Sequence, residues 1–98
     1  MLTLEITDQA EADIEEIYVY IAVKSYQSYA ESFAGKVFKT FDLLCHNPQM
    51  GTERTRSGEG VRCYPMEKVN SFYRVVSDRL QILRVHHGAL DSNKLRLQ

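Results

Sequence analysis

Apolar residues change their spacing along this chain, and each change marks an element. In "LTLEIT", Leu2, Leu4 and Ile6 alternate with Thr3, Glu5 and Thr7, the period of two expected of a half-buried strand. From Asp8 the period becomes helical: Ala10, Ile14, Ile17, Tyr18 and Ile21 share one face, while Glu11, Glu15 and Glu16 turn outward. Thr7 or Asp8 can cap this helix, and Asp8 with Glu11 has capping-box spacing. "VKSYQSY" breaks the pattern, and a second capping-box pair, Ser28 with Glu31, predicts the start of a longer helix carrying Ala30, Phe33, Val37, Phe41, Leu44 and Cys45 on one face. Pro48 stops it.

Two amphipathic helices joined by so few residues form an antiparallel hairpin that needs an apolar surface to cover. After the loop "NPQMGTERTRSGEG", the runs "VRCYPM", "VNSFYRVVS" and "RLQILRVHH" supply it. They are rich in β-branched and aromatic residues and are separated by turn candidates at Glu67-Lys68 and Ser77-Asp78, which predicts an antiparallel meander. Pro65 cannot donate to a ladder and favours an edge or strand-end position for the first run. The expected architecture is α+β, in the order β-α-α-β-β-β, with a helical hairpin packed on one face of a small antiparallel sheet. No repeat divides the chain, so residues 1–98 are expected to form a single domain.

Composition agrees with one small core: 44% of the 98 residues are hydrophobic and 26% are charged. No apolar run approaches the roughly 18 residues of a membrane span, and the N-terminus is acidic where a signal peptide would be basic and then apolar. A soluble, cytoplasmic protein that does not engage a membrane is expected. Cys45 and Cys63 have no CxxC or zinc-ligand spacing and read as buried hydrophobes; neither a metal nor another cofactor is expected. The net charge of −1 hides an asymmetry: residues 1–50 carry three Lys/Arg against eight Asp/Glu, and residues 51–98 carry nine against five. The C-terminal half is the side that would meet an anionic partner. A domain built for sequence-specific DNA binding would be more basic overall, so direct DNA recognition is not expected.

The ordered set "AEADIEEIYVYI", "NPQMGTER", "GVRCYP" and "FYRVVSDRLQILRVHHGALD" spans nearly the whole chain. It resembles the ParE branch of the ParE/RelE toxin superfamily. The resemblance implies a toxin of a type II toxin–antitoxin pair, held silent by a small ParD-like antitoxin encoded by the adjacent gene. The ParE branch is associated with inhibition of DNA gyrase, whereas the RelE branch cleaves messenger RNA on the ribosome.

The branches differ in chemistry. Cleaving RNA through its own 2′-hydroxyl needs a base, an acid for the leaving oxygen, and cations on the phosphate as charge builds. With Leu83 and Val85 turned to the core, Arg84 and His86 are expected on the opposite face, joined by Arg74 and Arg62 if the neighbouring strands are in register. Arg74, Arg84 and His86 would be the catalytic residues of a RelE-like endoribonuclease. Set against the resemblance, Asn70 stands where the RelE branch commonly has a basic residue, and no aromatic residue follows Tyr73. The expectation is a toxin without a catalytic set of its own, binding its target through Arg62, Arg74, Arg84, His86, Lys94 and Arg96. His87, if inward, reads as a core histidine, and Gly88 as a turn residue. Tyr18, Tyr26 and Tyr29 fit either helix packing or a contact surface. The C-terminal "DSNKLRLQ" alternates basic and apolar residues and reads either as a frayed tail or as an extension of the basic surface.

Overall fold

The computed structural model describes residues 1–91. Strand β1 (Thr3–Ile6) leads into helix α1 (Asp8–Lys24), and a reversal at Ser25-Tyr26 starts helix α2 (Gln27–His46). Then come β2 (Thr52–Glu53), a 3₁₀ turn at Thr55–Ser57, β3 (Arg62–Met66), β4 (Val69–Val76), β5 (Arg79–His87) and a helical turn, α3 (Gly88–Asp91). The strands form one sheet in the order β1-β5-β4-β3-β2. The core lies between the helical hairpin and one sheet face. Ala10, Ile14 and Ile17 of α1 meet Phe33, Val37, Phe41 and Leu44 of α2 over Tyr73, Leu80, Ile82 and Val85. Fully burying an aliphatic or Phe side chain contributes about 1.5–3 kcal/mol, so packing of these faces, rather than helix propensity, holds the hairpin in place.

The meander is antiparallel as its spacing predicts. Met66 opposes Val69 and Val76 opposes Arg79, leaving two-residue turns at Glu67-Lys68 and Ser77-Asp78. Both first turn residues lie in the left-handed region, Glu67 at φ 57° and Ser77 at φ 56°, the backbone that a two-residue hairpin requires to match strand twist. Pro65 sits past the end of β2, which pairs only with Arg62 and Cys63, so its missing N–H lies on an uncovered edge.

The sheet departs from expectation at β1, which pairs in parallel with β5, Ile6 opposite Ile82. The sheet is therefore mixed. Hairpin spacing dictates direction only between strands that adjoin in sequence, and β1 is separated from β5 by both helices and the meander. A second difference is the start of α2. The helix begins at Gln27 with Tyr26 as its N-cap and no side-chain cap, so Ser28 and Glu31 lie inside the helix and do not form the expected box. The reversal is tight enough that the Tyr26 carbonyl already accepts from Ala30 N, and the Gln27 amide donates to the Tyr18 hydroxyl at 2.6 Å. For α1 the cap is Thr7, whose Oγ1 accepts from Ala10 N at 3.2 Å.

The loop after α2 is pinned from below. Tyr73 is fully buried; its hydroxyl donates to the Pro48 carbonyl at 2.7 Å and accepts from Gly51 N at 2.8 Å. A Cβ on Gly51 would stand 2.4–2.9 Å from the phenol, so only glycine fits. From this anchor β2 runs back along β3, and the chain crosses to the sheet face away from the helices.

Candidate functional site

The decisive local feature is where β1 ends. Its last residue, Ile6, pairs with Ile82, so β5 beyond that point has β4 on one side and no strand on the other. Side chains take over the ladder. The Thr7 hydroxyl donates to the Ile82 carbonyl at 2.8 Å. Asp13, one turn into α1, accepts Val85 N at 2.9 Å. At the same place the β4–β5 register slips between Phe72 and Tyr73, which oppose Arg84 and Ile82 and leave Leu83 as the extra residue. This bulge shifts the alternation by one. Leu80, Ile82 and Val85 face the core, and Leu83 does not, contrary to the simple period-two reading.

Arg84 is set by the same junction. Its Nε donates to Asp13 Oδ2 at 2.8 Å and its Nη2 to Oδ1 at 3.1 Å, a two-pronged pair in which the Asp13 side chain is 11% exposed and that of Arg84 32%. Asp13 thus receives the guanidinium and a backbone amide together, the geometry of strong charge-assisted hydrogen bonds. Asp13 was readable in the sequence only as an oddity, a carboxylate three residues after Ala10 on the apolar stripe of α1.

On the face away from the helices, Leu83, Arg84 and His86 line a cleft of about 390 Å³ with Phe72 of β4 and with Arg56 and Ser57 of the crossing loop. Arg84 and His86 are therefore brought together, as expected, although the guanidinium is turned to Asp13. His86 is 8% exposed, and its ring lies 5.1 Å from that of Phe72. Arg74 and Arg62 do not join them. Arg74 opposes Gln81 and donates to its Oε1 at 2.9 Å, in an exposed polar row completed by Glu5 and Arg79. His86 opposes Asn70, four residues from Arg74 along β4, which separates the two by roughly 13 Å at strand rise. Arg62 opposes Tyr73 and so shares the other face; it donates to the Gly51 carbonyl at 2.7 Å and clamps the loop. Lys94 and Arg96 lie outside the described residues.

His87 faces the helices, 8% exposed, with its ring 5.8 Å from that of Tyr20. It borders a groove of about 620 Å³ between the hairpin tip and the β3–β4 turn, lined also by Tyr29, Phe33, Met66 and Val69. Tyr26 and Tyr29 are exposed and contact each other edge to face. Burial pushes the Tyr73 phenol and both thiols, Cys45 and Cys63, above their usual ranges. Glu5 is held below the usual carboxylate range by its hydrogen bond from Gln81 and then by Arg79. Among the described residues no group of three or more His, Cys, Asp or Glu side chains could hold a metal ion, and no helix is long and apolar enough to cross a membrane.

Comparison with known proteins places this geometry. A search of curated proteins finds no match. A solved structure described as the chromosomal ParDE toxin–antitoxin system from P. aeruginosa superposes with a TM-score of 0.77 at 26% identity, covering 89% of this chain and 96% of that one. A chain of the RelBE2 toxin–antitoxin complex from Mycobacterium tuberculosis shares the fold, with a TM-score of 0.63 at 22% identity over 88% of this chain and 96% of that one. The family described as "ParE toxin of type II toxin-antitoxin system, parDE" matches residues 4–91. With that family spanning β1 through α3 and the two-helix, mixed-sheet fold shared with both neighbours, the chain belongs to the ParE toxin family of type II toxin–antitoxin systems.

Proposed function

We propose that this ParE-family toxin acts in the cytoplasm by binding DNA gyrase, without catalysis of its own, and is neutralised by a ParD-like antitoxin encoded by the adjacent gene. The observation that carries the non-catalytic reading is the commitment of Arg84 to Asp13. A ribonuclease would need that guanidinium on the scissile phosphate, where charge develops. Arg74, the other cation of a catalytic set, stands four residues along β4 from the position opposite His86 and donates to Gln81 outside the His86 cleft. Target contact is assigned instead to the exposed cations of the outer face, Arg74 above all, with His86 and Arg84 on the same face; Arg62, on the other face, and Lys94 and Arg96, outside the described residues, are further candidates for that contact.

Purified toxin, with and without the adjacent-gene product, decides between the classes. The expected result is inhibited supercoiling or trapped gyrase–DNA cleavage complexes, relieved by the partner, with messenger RNA on translating ribosomes left intact. Codon-phased RNA cleavage that disappears in His86→Ala, with gyrase unaffected, would replace this reading by a RelE-like endoribonuclease.

A further inference from the structure

The edge of the sheet at β1 combines three features that the activity above does not use. The first is an open ladder. Thr3 N donates to the Asp78 carbonyl and Thr7 N to the Ile82 carbonyl, which sets Thr3, Glu5 and Thr7 toward β5. In a parallel ladder the alternate residues, Leu4 and Ile6, then direct their N–H and C=O groups to the outer side. An exposed edge of this kind is a template for another strand.

The second feature is apolar relief beside that edge. Phe38, 47% exposed on α2, stands between two hollows of about 420 and 290 Å³. Leu2, Leu4 and Cys45 line one, and Ile6, Ile14 and Tyr18 the other. Hollows flanking an open strand edge are what an added strand uses to seat alternate side chains.

The third is charge. Asp42 lines the first hollow together with Met1, whose amino terminus is a cation, and Glu11 and Glu15 line the second; with no lysine or arginine side chain in either lining, carboxylates are in excess around the pair of hollows. Such a rim repels nucleic acid. It also opposes a symmetric pairing of two β1 edges, which would bring acidic rim against acidic rim. A cationic polypeptide is the complementary partner.

We infer that the β1 edge and the acid-rimmed hollows around Phe38 dock an extended segment of the antitoxin, alternating apolar with Lys or Arg residues, which adds to the sheet as a strand outside β1. This rests on the toxin–antitoxin reading. Apolar side chains of the segment fill the hollows beside Phe38, and its cations face Asp42, Glu11 and Glu15. Main-chain bonds to Leu4 and Ile6 supply affinity, and the rim supplies sign selectivity.

Amide hydrogen exchange by NMR, on the full-length toxin alone and in complex with the full-length product of the adjacent gene, reads the proposal directly. In the free toxin, Leu4 and Ile6 should exchange fast while Glu5 is protected; in the complex, both should slow by about 100-fold or more. Phe38→Lys should weaken the complex by roughly tenfold or more, as loss of a central anchor does. Leu4→Pro should do the same, because it removes an N–H that points away from β5. Circular dichroism establishes that each variant is folded, and the Phe38 variant carries the test alone if proline disturbs the strand. A wild-type complex in which Leu4 and Ile6 still exchange fast, with Phe38→Lys binding normally, overturns the docking site and leaves the toxin–antitoxin reading standing. Absence of any complex overturns both. Protection of Leu4 and Ile6 in the toxin alone overturns the antitoxin as occupant, in favour of a second copy if it rises with concentration and of the chain itself if it does not.

Discussion

Replacing Tyr73 by Phe deletes one oxygen from a buried polar contact beneath the loop that follows α2. That hydroxyl donates to Pro48 O and accepts from Gly51 N, and no water-accessible surface surrounds the side chain. The substitution leaves the ring in place, so cavity formation is minor and the cost comes from the abandoned partners. A typical hydrogen bond contributes about 1 kcal/mol net, and a buried donor left unsatisfied costs about 1–3 kcal/mol. Gly51 is buried and pays the larger figure, whereas Pro48 is half-buried and recovers part of its loss from solvent. The expected total is about 2–3 kcal/mol. For a domain of this size each kcal/mol moves Tm by roughly 4–8 °C, so Tm should fall by roughly 10–20 °C. Urea unfolding followed by circular dichroism at the helix band measures the difference, with an unchanged denaturant slope expected because the folded core is intact. A companion variant sharpens the reasoning: Gly51→Ala places a methyl against the same phenol, and because part of that clash is with the hydroxyl itself, the double variant should be less destabilised than the two single changes added together. A Tyr73→Phe cost below about 0.5 kcal/mol, within the range of inconsequential surface changes, would refute the anchoring role.

Other consequences can be measured on the same material. Asp13→Ala removes the carboxylate that Arg84 and Val85 N share; breaking a buried pair costs about 3–5 kcal/mol. Here about 2–4 kcal/mol is expected because Arg84 reaches water; in urea unfolding the Asp13→Ala, Arg84→Met double variant should lose less than the two single variants added together, and a double loss equal to their sum would show that the pair is not coupled. Ser77→Gly should raise stability by a few tenths of a kcal/mol, as relief of left-handed strain of about 1–2 kcal/mol is offset by the added freedom of the unfolded chain. Burial raises the folded-state pKa of Tyr73, so its contribution is complete below the unfolded value near 10 and is lost as pH rises through the folded value. Ultraviolet titration should show Tyr73 ionising only as the protein unfolds in alkali, and its early, reversible titration would contradict the burial. Glu5, depressed by Gln81 and Arg79, works in the opposite sense. Its contribution is present above the usual carboxylate range and fades below about pH 4.5, and Gln81→Ala should lower the NMR-measured stabilisation of that carboxylate by moving its titration upward.

How far the chain declares itself depends on the distance over which each feature is decided. The helical faces Ala10–Ile14–Ile17 and Phe33–Val37–Phe41–Leu44, the three meander strands and both two-residue turns were legible, because periodicity and turn chemistry act within a few residues and the same residues form the core. The capping pair Ser28–Glu31 misled because the packed reversal, not side-chain chemistry, sets where α2 begins. The parallel placement of β1 joins residues about as far apart as the chain allows, Thr3 with Arg79, and no local pattern encodes that direction. The candidate site divides in the same way. Sequence brought Arg84, His86, Arg74 and Arg62 into consideration and, through the ordered motifs, the ParE family. Which of them gather was settled by strand register, with a one-residue bulge at Leu83 just where β1 ends at Ile6. Past that point β5 needs a partner for Val85 N, Asp13 supplies it, and the same carboxylate draws in Arg84. A register slip is a compromise among strand pairing, core packing and a buried charge contributed by a distant helix, so only the folded chain decides it.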